Sequence, residues 1–292
     1  MSLPDVCRQC PRACGIDRSQ TVGFCNSPAE FRVARVDLHP WEEPAICGKS
    51  GAGTIFFTGC NLRCVYCQNR AISRGNCGKP MTCDQLAAEM LALQERGAAC
   101  IDLVTPTHYT VQLVPVLRAV RPRLRVPVVW NSGGYESAAT LRALSGLVDI
   151  YLPDCKYFDD RSARTLSSAP DYFPVFCAAL EEMLAQIGPP VHAPDGSLLR
   201  GVIVRHLVLP GHRSDSLAIL EALASRFGTS AFLLSLMSQY TPEFAADAPD
   251  PALHRRLTTF EYRSVLDRAA DLGFSGFSQS RSSASPRFTP DF

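Results

Sequence analysis

Apolar residues along this chain fall in short runs that alternate with stretches of helical period. Thr54–Thr58 (Thr-Ile-Phe-Phe-Thr) is a β-branched and aromatic run and predicts a buried strand. Similar runs predict strands at Cys100–Thr105, Val126–Trp130, Val148–Leu152, Gly201–Leu209 and Ala231–Leu236. Between and after them the period predicts helices at Asp84–Arg96, Val111–Val120, Ser137–Leu144, Tyr172–Ile187, Ser214–Phe227 and Thr259–Leu272. Thr82 and Gln85 have capping-box spacing ahead of the first helix, Gly97 ends it, and Pro115 is a candidate kink in the second. Six strand–helix repeats imply an α/β fold with a parallel sheet and right-handed crossovers. The chain has no room for two further units, so the expected architecture is a partial (β/α)6 TIM-like barrel.

The pattern divides the chain into a Cys-rich N-terminal extension and connector over 1–50, a barrel over 51–275, and a tail over 276–292. Phe31–Val36 is a further candidate strand, and Val191–Leu199, with Pro194-Asp195-Gly196, predicts a hairpin inserted before the fifth barrel strand. The Ser/Pro/Arg-rich tail Ser278–Phe292 is expected to be poorly ordered.

Composition narrows the partners. The 292 residues carry a formal net charge of +1, so neither nucleic acid nor an anionic membrane surface is expected as the obligatory partner. No apolar run approaches the ~18 residues of a membrane span, and Met1–Asp5 lacks a signal-peptide pattern, so a cytoplasmic location is expected. Thirteen cysteines in such a chain point to metal rather than disulfides, and eight of them lie in the first quarter.

Three of these, Cys60, Cys64 and Cys67, follow Gly59 at the end of the first barrel strand. Their close spacing lets three thiolates converge on one soft metal centre. A structural zinc wants four protein ligands, whereas an iron–sulfur cubane held by three leaves one iron open. Cys7, Cys10, Cys14 and Cys25 form a second box, whose four sulfurs suit a closed zinc site or a saturated iron–sulfur cluster. The spacing does not choose between these, and metal-free reduced thiols are a third reading. Cys47 reads as a bystander. His39-Pro-Trp-Glu-Glu-Pro44 reads as a surface loop anchored by Trp41, with His39, Glu42 and Glu43 bordering the site as the alternative.

The spacing Cys60-x3-Cys64-x2-Cys67, with Tyr66 before the last cysteine, resembles the cluster loop of the radical SAM superfamily. The resemblance implies a [4Fe–4S] cluster on those three cysteines, whose open iron chelates S-adenosylmethionine. One electron then cleaves the sulfonium to give a 5′-deoxyadenosyl radical for hydrogen abstraction. Across residues 7–279 the chain is similar to the pyruvate formate-lyase-activating-enzyme-like group with an N-terminal cysteine box. The likeness is carried by Cys7-x2-Cys10-Pro-Arg-x-Cys14-Gly, His39–Pro44, the cluster loop, Val104–Tyr109, Asn131–Tyr135, Asp149–Tyr157, Val204–Gly211 and Met237-x-Gln239-Tyr240.

Barrel chemistry collects at the C-terminal ends of strands, and here those ends are polar or Gly-rich. Asp154-Cys-Lys156 matches an Asp-x-Lys that contacts the cofactor in activases. Lys156 suits a carboxylate and Asp154 a hydroxyl or ammonium; Asn131 and Ser132 suit ribose hydroxyls. Arg205 and His206 are further candidates, and His108 is either an acid/base or a turn residue. Arg63 and Arg70 flank the cluster loop, where they would favour thiolates and an acidic electron donor, or are simply surface arginines. One departure stands out: Thr105-Pro106-Thr107 replaces the Gly-Gly-Glu type that receives the ammonium of S-adenosylmethionine in activases. The family implies an oxidoreductase with an electron donor such as flavodoxin or ferredoxin; a protein substrate is one alternative, and the resemblance does not supply the physiological substrate. The rivals are a non-catalytic iron–sulfur electron-transfer or sensor protein and a zinc-stabilised binding module.

Overall fold

The computed structural model describes residues 6–74 and 77–279. In chain order the strands are β1 (Phe31–His39), β2 (Ala52–Phe57), β3 (Lys79–Met81), β4 (Ile101–Val104), β5 (Val128–Ser132), β6 (Ile150–Pro153), β7 (Val191–His192), β8 (Leu198–Leu207), β9 (Leu233–Met237) and β10 (Gly276–Ser278). The helices are α1 (Pro44–Cys47), α2 (Arg70–Arg74), α3 (Cys83–Glu95), α4 (Thr110–Val120), α5 (Ala138–Leu141), α6 (Asp160–Ser167), α7 (Tyr172–Ile187), α8 (Arg213–Phe227) and α9 (Thr259–Leu272).

The sheet runs β10-β9-β8-β6-β5-β4-β2-β1-β3, with β7 paired antiparallel to β8. From β2 to β10 every neighbouring pair is parallel, whereas β1 is antiparallel to both β2 and β3. The outermost strands do not pair with each other, so this is an open, partial barrel of the α/β class.

Side-chain alternation sorts the two faces of the sheet. Ile101, Leu103, Val128, Trp130, Tyr151, Val202 and Val204 pack with residues of α3, α4, α7, α8 and α9 in the main core. Their neighbours Cys100, Val129, Ile150, Leu152 and Ile203 form a second apolar cluster on the inner face. Ala45 and Ile46 of α1 belong to that inner cluster, so the connector before β2 turns into the barrel lumen. This overturns the expectation of a surface loop: although Trp41 is 61% exposed, Glu43 is buried and accepts from Ser235 Oγ on β9 at 3.0 Å. The cause is charge, because the inner face presents Arg205 to these acids.

Long periodic segments form as read. α7 and α9 have the expected bounds, Thr82 and Gln85 form their capping box, and α4 continues through Pro115. Helix α6 was not anticipated: it offers little apolar period, although Asp159 caps it by accepting from Ser162 N at 2.7 Å. The segment Ser137–Leu144 is only a four-residue α5 followed by a 3-10 turn at Arg142–Leu144. Gly276–Ser278 pair with β9, and 280–292 of the expected tail lie outside the described residues. Among the described residues no helix is long and apolar enough to cross a membrane.

Candidate functional site

At the C-terminal ends of the parallel strands lies a cavity of about 300 Å³, the size range of small-molecule sites. Cys60, Cys64 and Cys67 line it together with Asn131, Ser132, Gly133, Asp154, Lys156 and Arg205. Thr105, Met237, Gln239 and Tyr240, from other strand ends, complete much of the wall.

The cluster loop is pinned from several sides. Arg63 N donates to Ser167 O at 3.1 Å and Val65 N to Leu166 O at 2.9 Å, so the end of α6 holds it. Arg74 Nη2 donates to the carbonyls of Arg63 and Cys64 at 3.0 and 2.9 Å. Each sulfur also has a polar neighbour: Leu62 N lies 3.4 Å from Cys60 Sγ, Ser167 Oγ donates to Cys64 Sγ at 2.9 Å, and Ser73 Oγ is 3.4 Å from Cys67 Sγ. Burial pushes the Cys60 thiol up to about 12, with the Cys64 and Cys67 sulfurs adding, and raises Cys67 in the same way. Ser167 extends this shell through Tyr157 and Tyr66 hydroxyls at 2.7 and 2.6 Å. The sequence reading missed it because α6 itself was missed.

The opposite wall is a charged lattice. Asp154 accepts from Lys156 Nζ at 2.7 Å and from Arg205 Nε at 2.8 Å. Burial alone would raise the Asp154 carboxyl, but Arg205 and Lys156 hold it below its usual range. Burial works against the Lys156 ammonium too, yet Asp154 more than offsets it and its pKa is raised. Asn131 is saturated by protein: its Nδ2 reaches Glu42 and Asp102 at 3.1 and 3.2 Å, and its Oδ1 accepts from Arg205 Nη2 at 2.7 Å. Gly134 has φ +74 and a Cβ there would strike Tyr172 Oη at 2.8 Å, which explains a glycine after this strand.

Other candidates lie elsewhere. His206 points to the outer face, where its ring bonds Cys155 O at 2.7 Å and Ser216 Oγ at 2.9 Å; alternation puts Arg205 inside and its neighbour outside. His108 is buried in a 3-10 turn with Nε2 at 2.9 Å from Thr58 O, and it does not line the cavity. Burial drives it down to about 3, so it is neutral and serves the turn. Arg63 stacks over Phe24, 4.6 Å from the ring centre, whereas Arg70 is an exposed partner of Asp247.

Behind the loop sits the N-terminal box. Cys7 N donates to Ile16 O at 2.7 Å, and Gly15 N to Cys7 O at 2.9 Å, closing a small ring of backbone. Burial pushes the Cys10 thiol up to about 11, with Cys25, Cys7 and Cys14 each adding charge, so the four sulfurs share one neighbourhood. Among the described residues no three His, Cys, Asp or Glu side chains already stand in a metal-holding arrangement.

Comparison with known proteins agrees with this geometry. Residues 54–193 match the model of the radical SAM superfamily, a span that includes the three-cysteine loop and the Asp154–Lys156 pair. Over that span the chain is similar to a radical SAM domain. An uncharacterized protein of Methanocaldococcus jannaschii is 29% identical over 272 residues, covering 90% of this chain and 74% of that one. Streptococcus suis SuiB bound to precursor peptide SuiA shares the fold at TM-score 0.52 and 9% identity, over 76% of this chain and 46% of that one. A radical SAM methyltransferase from Sphaerobacter thermophilus does so at TM-score 0.51 and 12% identity, over 78% and 66%.

The radical SAM family implies a [4Fe–4S] cluster and S-adenosylmethionine. The donor set fits that group: three soft sulfurs border one cavity, each with an amide or hydroxyl beside it, as cluster thiolates require.

Proposed function

We propose that this protein is an enzyme that cleaves S-adenosylmethionine reductively and abstracts a hydrogen atom from its substrate. The observation that carries this reading is one cavity bordered by Cys60, Cys64 and Cys67 on one side and by the Asp154–Lys156–Arg205 lattice on the other. When bound, the cluster and S-adenosylmethionine supply the electron transfer and the 5′-deoxyadenosyl radical.

The chain's own residues do the rest. Cys60, Cys64 and Cys67 hold the cluster, and Ser167, Ser73 and the Leu62 amide stabilise charge on the sulfurs. Lys156 binds the carboxylate of S-adenosylmethionine, and Asp154 fixes the ammonium of Lys156 in place. Ser132 serves the ribose, while Asn131 orients Arg205. The Tyr66–Tyr157–Ser167 hydroxyl chain backs the loop. Cys7, Cys10, Cys14 and Cys25 form a second metal site, zinc or iron–sulfur, behind it.

The resemblance does not supply the physiological substrate; an activase-like outcome, a glycyl radical on a partner protein with a flavodoxin or ferredoxin as electron donor, is the finer reading within this proposal. Anaerobic reconstitution followed by dithionite and S-adenosylmethionine tests the reading. It predicts 5′-deoxyadenosine, with iron and zinc counts identifying the metal of the N-terminal box. Brown protein that yields no deoxyadenosine, even with a stronger reductant, would support an electron-transfer protein instead.

A further inference from the structure

Arg12 lies between Cys10 and Cys14, and Phe24 directly precedes Cys25, so the N-terminal box sets the place of both. The amide of Arg12 also bonds the Cys10 sulfur. From there the Arg12 side chain leaves the box. Its Nε donates to Asn61 O in the cluster loop at 2.9 Å, and its Nη1 to Ser168 O, just past α6, at 2.5 Å. The guanidinium stands 3.8 Å from the centre of the Phe24 ring and 5.0 Å from that of Tyr135. Arg63 reaches back from the loop to 4.6 Å from the same Phe24 ring. It donates to the Phe24 carbonyl and, at 3.1 Å, to that of Cys60. One box ring thus receives a cation from each of the two cysteine sets.

The residues gripped in this way decide where the cluster loop lies. Asn61 is buried, and its Nδ2 donates to Tyr135 O beyond β5 at 2.6 Å. Leu62, next in the chain, lines the cavity and packs against the end of β5. A Cβ on Gly133 would lie only 2.8 Å from Leu62 Cδ1 and 3.6 Å from Lys156 Cε. The Asn61–Leu62 step therefore fixes the spacing between the three-cysteine loop and the strand ends that carry Lys156. Close packing leaves it no room to drift. The box, in turn, is a small loop-rich segment without helix or strand, and such segments hold their shape through a staple.

We propose that Arg12 and Phe24 are positioning residues that carry the state of the Cys7–Cys10–Cys14–Cys25 box to the cluster loop. With the box closed by its metal they hold Asn61 and Leu62 against the end of β5; with the box open they release them. A cluster on Cys60, Cys64 and Cys67 is then retained firmly only while the box is filled. The inference rests on the two metal sites of the reading above.

Anaerobically loaded protein challenged with a ferrous chelator tests this. The loop cluster is followed through the part of the reduced EPR signal that S-adenosylmethionine alters, and the box through its metal count. Arg12→Lys and Phe24→Leu leave every cysteine in place, but lysine lacks the planar fork and leucine the ring. Both variants should keep the box metal yet lose the loop signal about 10-fold faster than wild type, the worth of one stacked contact. Phe24→Tyr, which keeps the ring, should lose it at the wild-type rate. Cys10→Ser opens the box and should speed the loss as well; Cys7→Ser takes its place if that variant does not fold. Adding Phe24→Leu to the open-box variant should bring no further acceleration, because both act along one route. Wild-type retention in Arg12→Lys and Phe24→Leu, or in the open-box variant, overturns the inference, as do additive effects in the double variant. If wild type still gives a signal that S-adenosylmethionine alters, the enzymatic reading stands; if it gives none, both fall.

Discussion

The amide of Cys60 donates to the carbonyl of Cys25 at 3.2 Å, so one hydrogen bond joins the two cysteine sets. This contact depends on Gly59, which has φ +89 and where a Cβ would collide with Ser27 Oγ and the Cys25 carbonyl. Gly59→Ala is therefore expected to cost at least about 2 kcal/mol in urea unfolding and to lower iron retention. Gly188→Ala is the control: its φ is +74 but the added Cβ meets nothing within 4 Å, so about 1 kcal/mol is expected. Equal losses at the two sites would argue against a packed seam between box and loop.

Ser167 donates to Cys64 Sγ and also meets the Tyr157 hydroxyl. Hydrogen bonds to cluster sulfurs stabilise the more negative, reduced state. Ser167→Ala should thus shift the cluster potential to a more negative value and slow cofactor cleavage by a weak donor. An EPR-monitored redox titration reads the shift, and an unchanged potential would remove Ser167 from the cluster's shell.

Glu43 is a buried acid whose pKa is raised to about 7, chiefly by burial. An acid raised in the folded state binds more protons there than in the unfolded chain. It therefore costs stability as pH rises from its ordinary value of 4.5 through about 7. Glu43→Gln removes that cost and retains an acceptor for Ser235. The ligand-free variant should gain on wild type with rising pH, by up to about 3 kcal/mol at pH 8. A difference that does not vary between pH 5 and 8 would contradict this ionisation.

Thr105 lines the cavity with φ 59, a left-handed conformation that a β-branched residue rarely adopts. Thr105→Gly should raise stability by about 1 kcal/mol through release of that strain. Chemical denaturation checks it, and a destabilised glycine variant would mean that Thr105 side-chain contacts outweigh the strain.

The legible part of this protein is what local pattern encodes. α7 and α9 announce themselves through their period and α3 through its capping box, and six of the seven parallel strands through apolar runs, which carries the reading of an open barrel. The three-cysteine loop was legible because its spacing is chemistry in itself. Glu42 and Glu43 were not: two acids beside an exposed Trp41 look solvated until Arg205, more than 160 residues later in the chain, is folded over them. Likewise His206 beside Arg205 was an equal candidate until strand alternation put the two on opposite faces. Long-range partners decided both cases, and a single sequence carries no trace of such pairings.

The central claim is best tested by replacing Cys60, Cys64 and Cys67 together with Ala and measuring iron and 5′-deoxyadenosine after anaerobic reconstitution. The account predicts that the variant loses the iron of one cluster and all cofactor cleavage, while the N-terminal box keeps its own metal. Deoxyadenosine formed by the triple variant at the wild-type rate would contradict it.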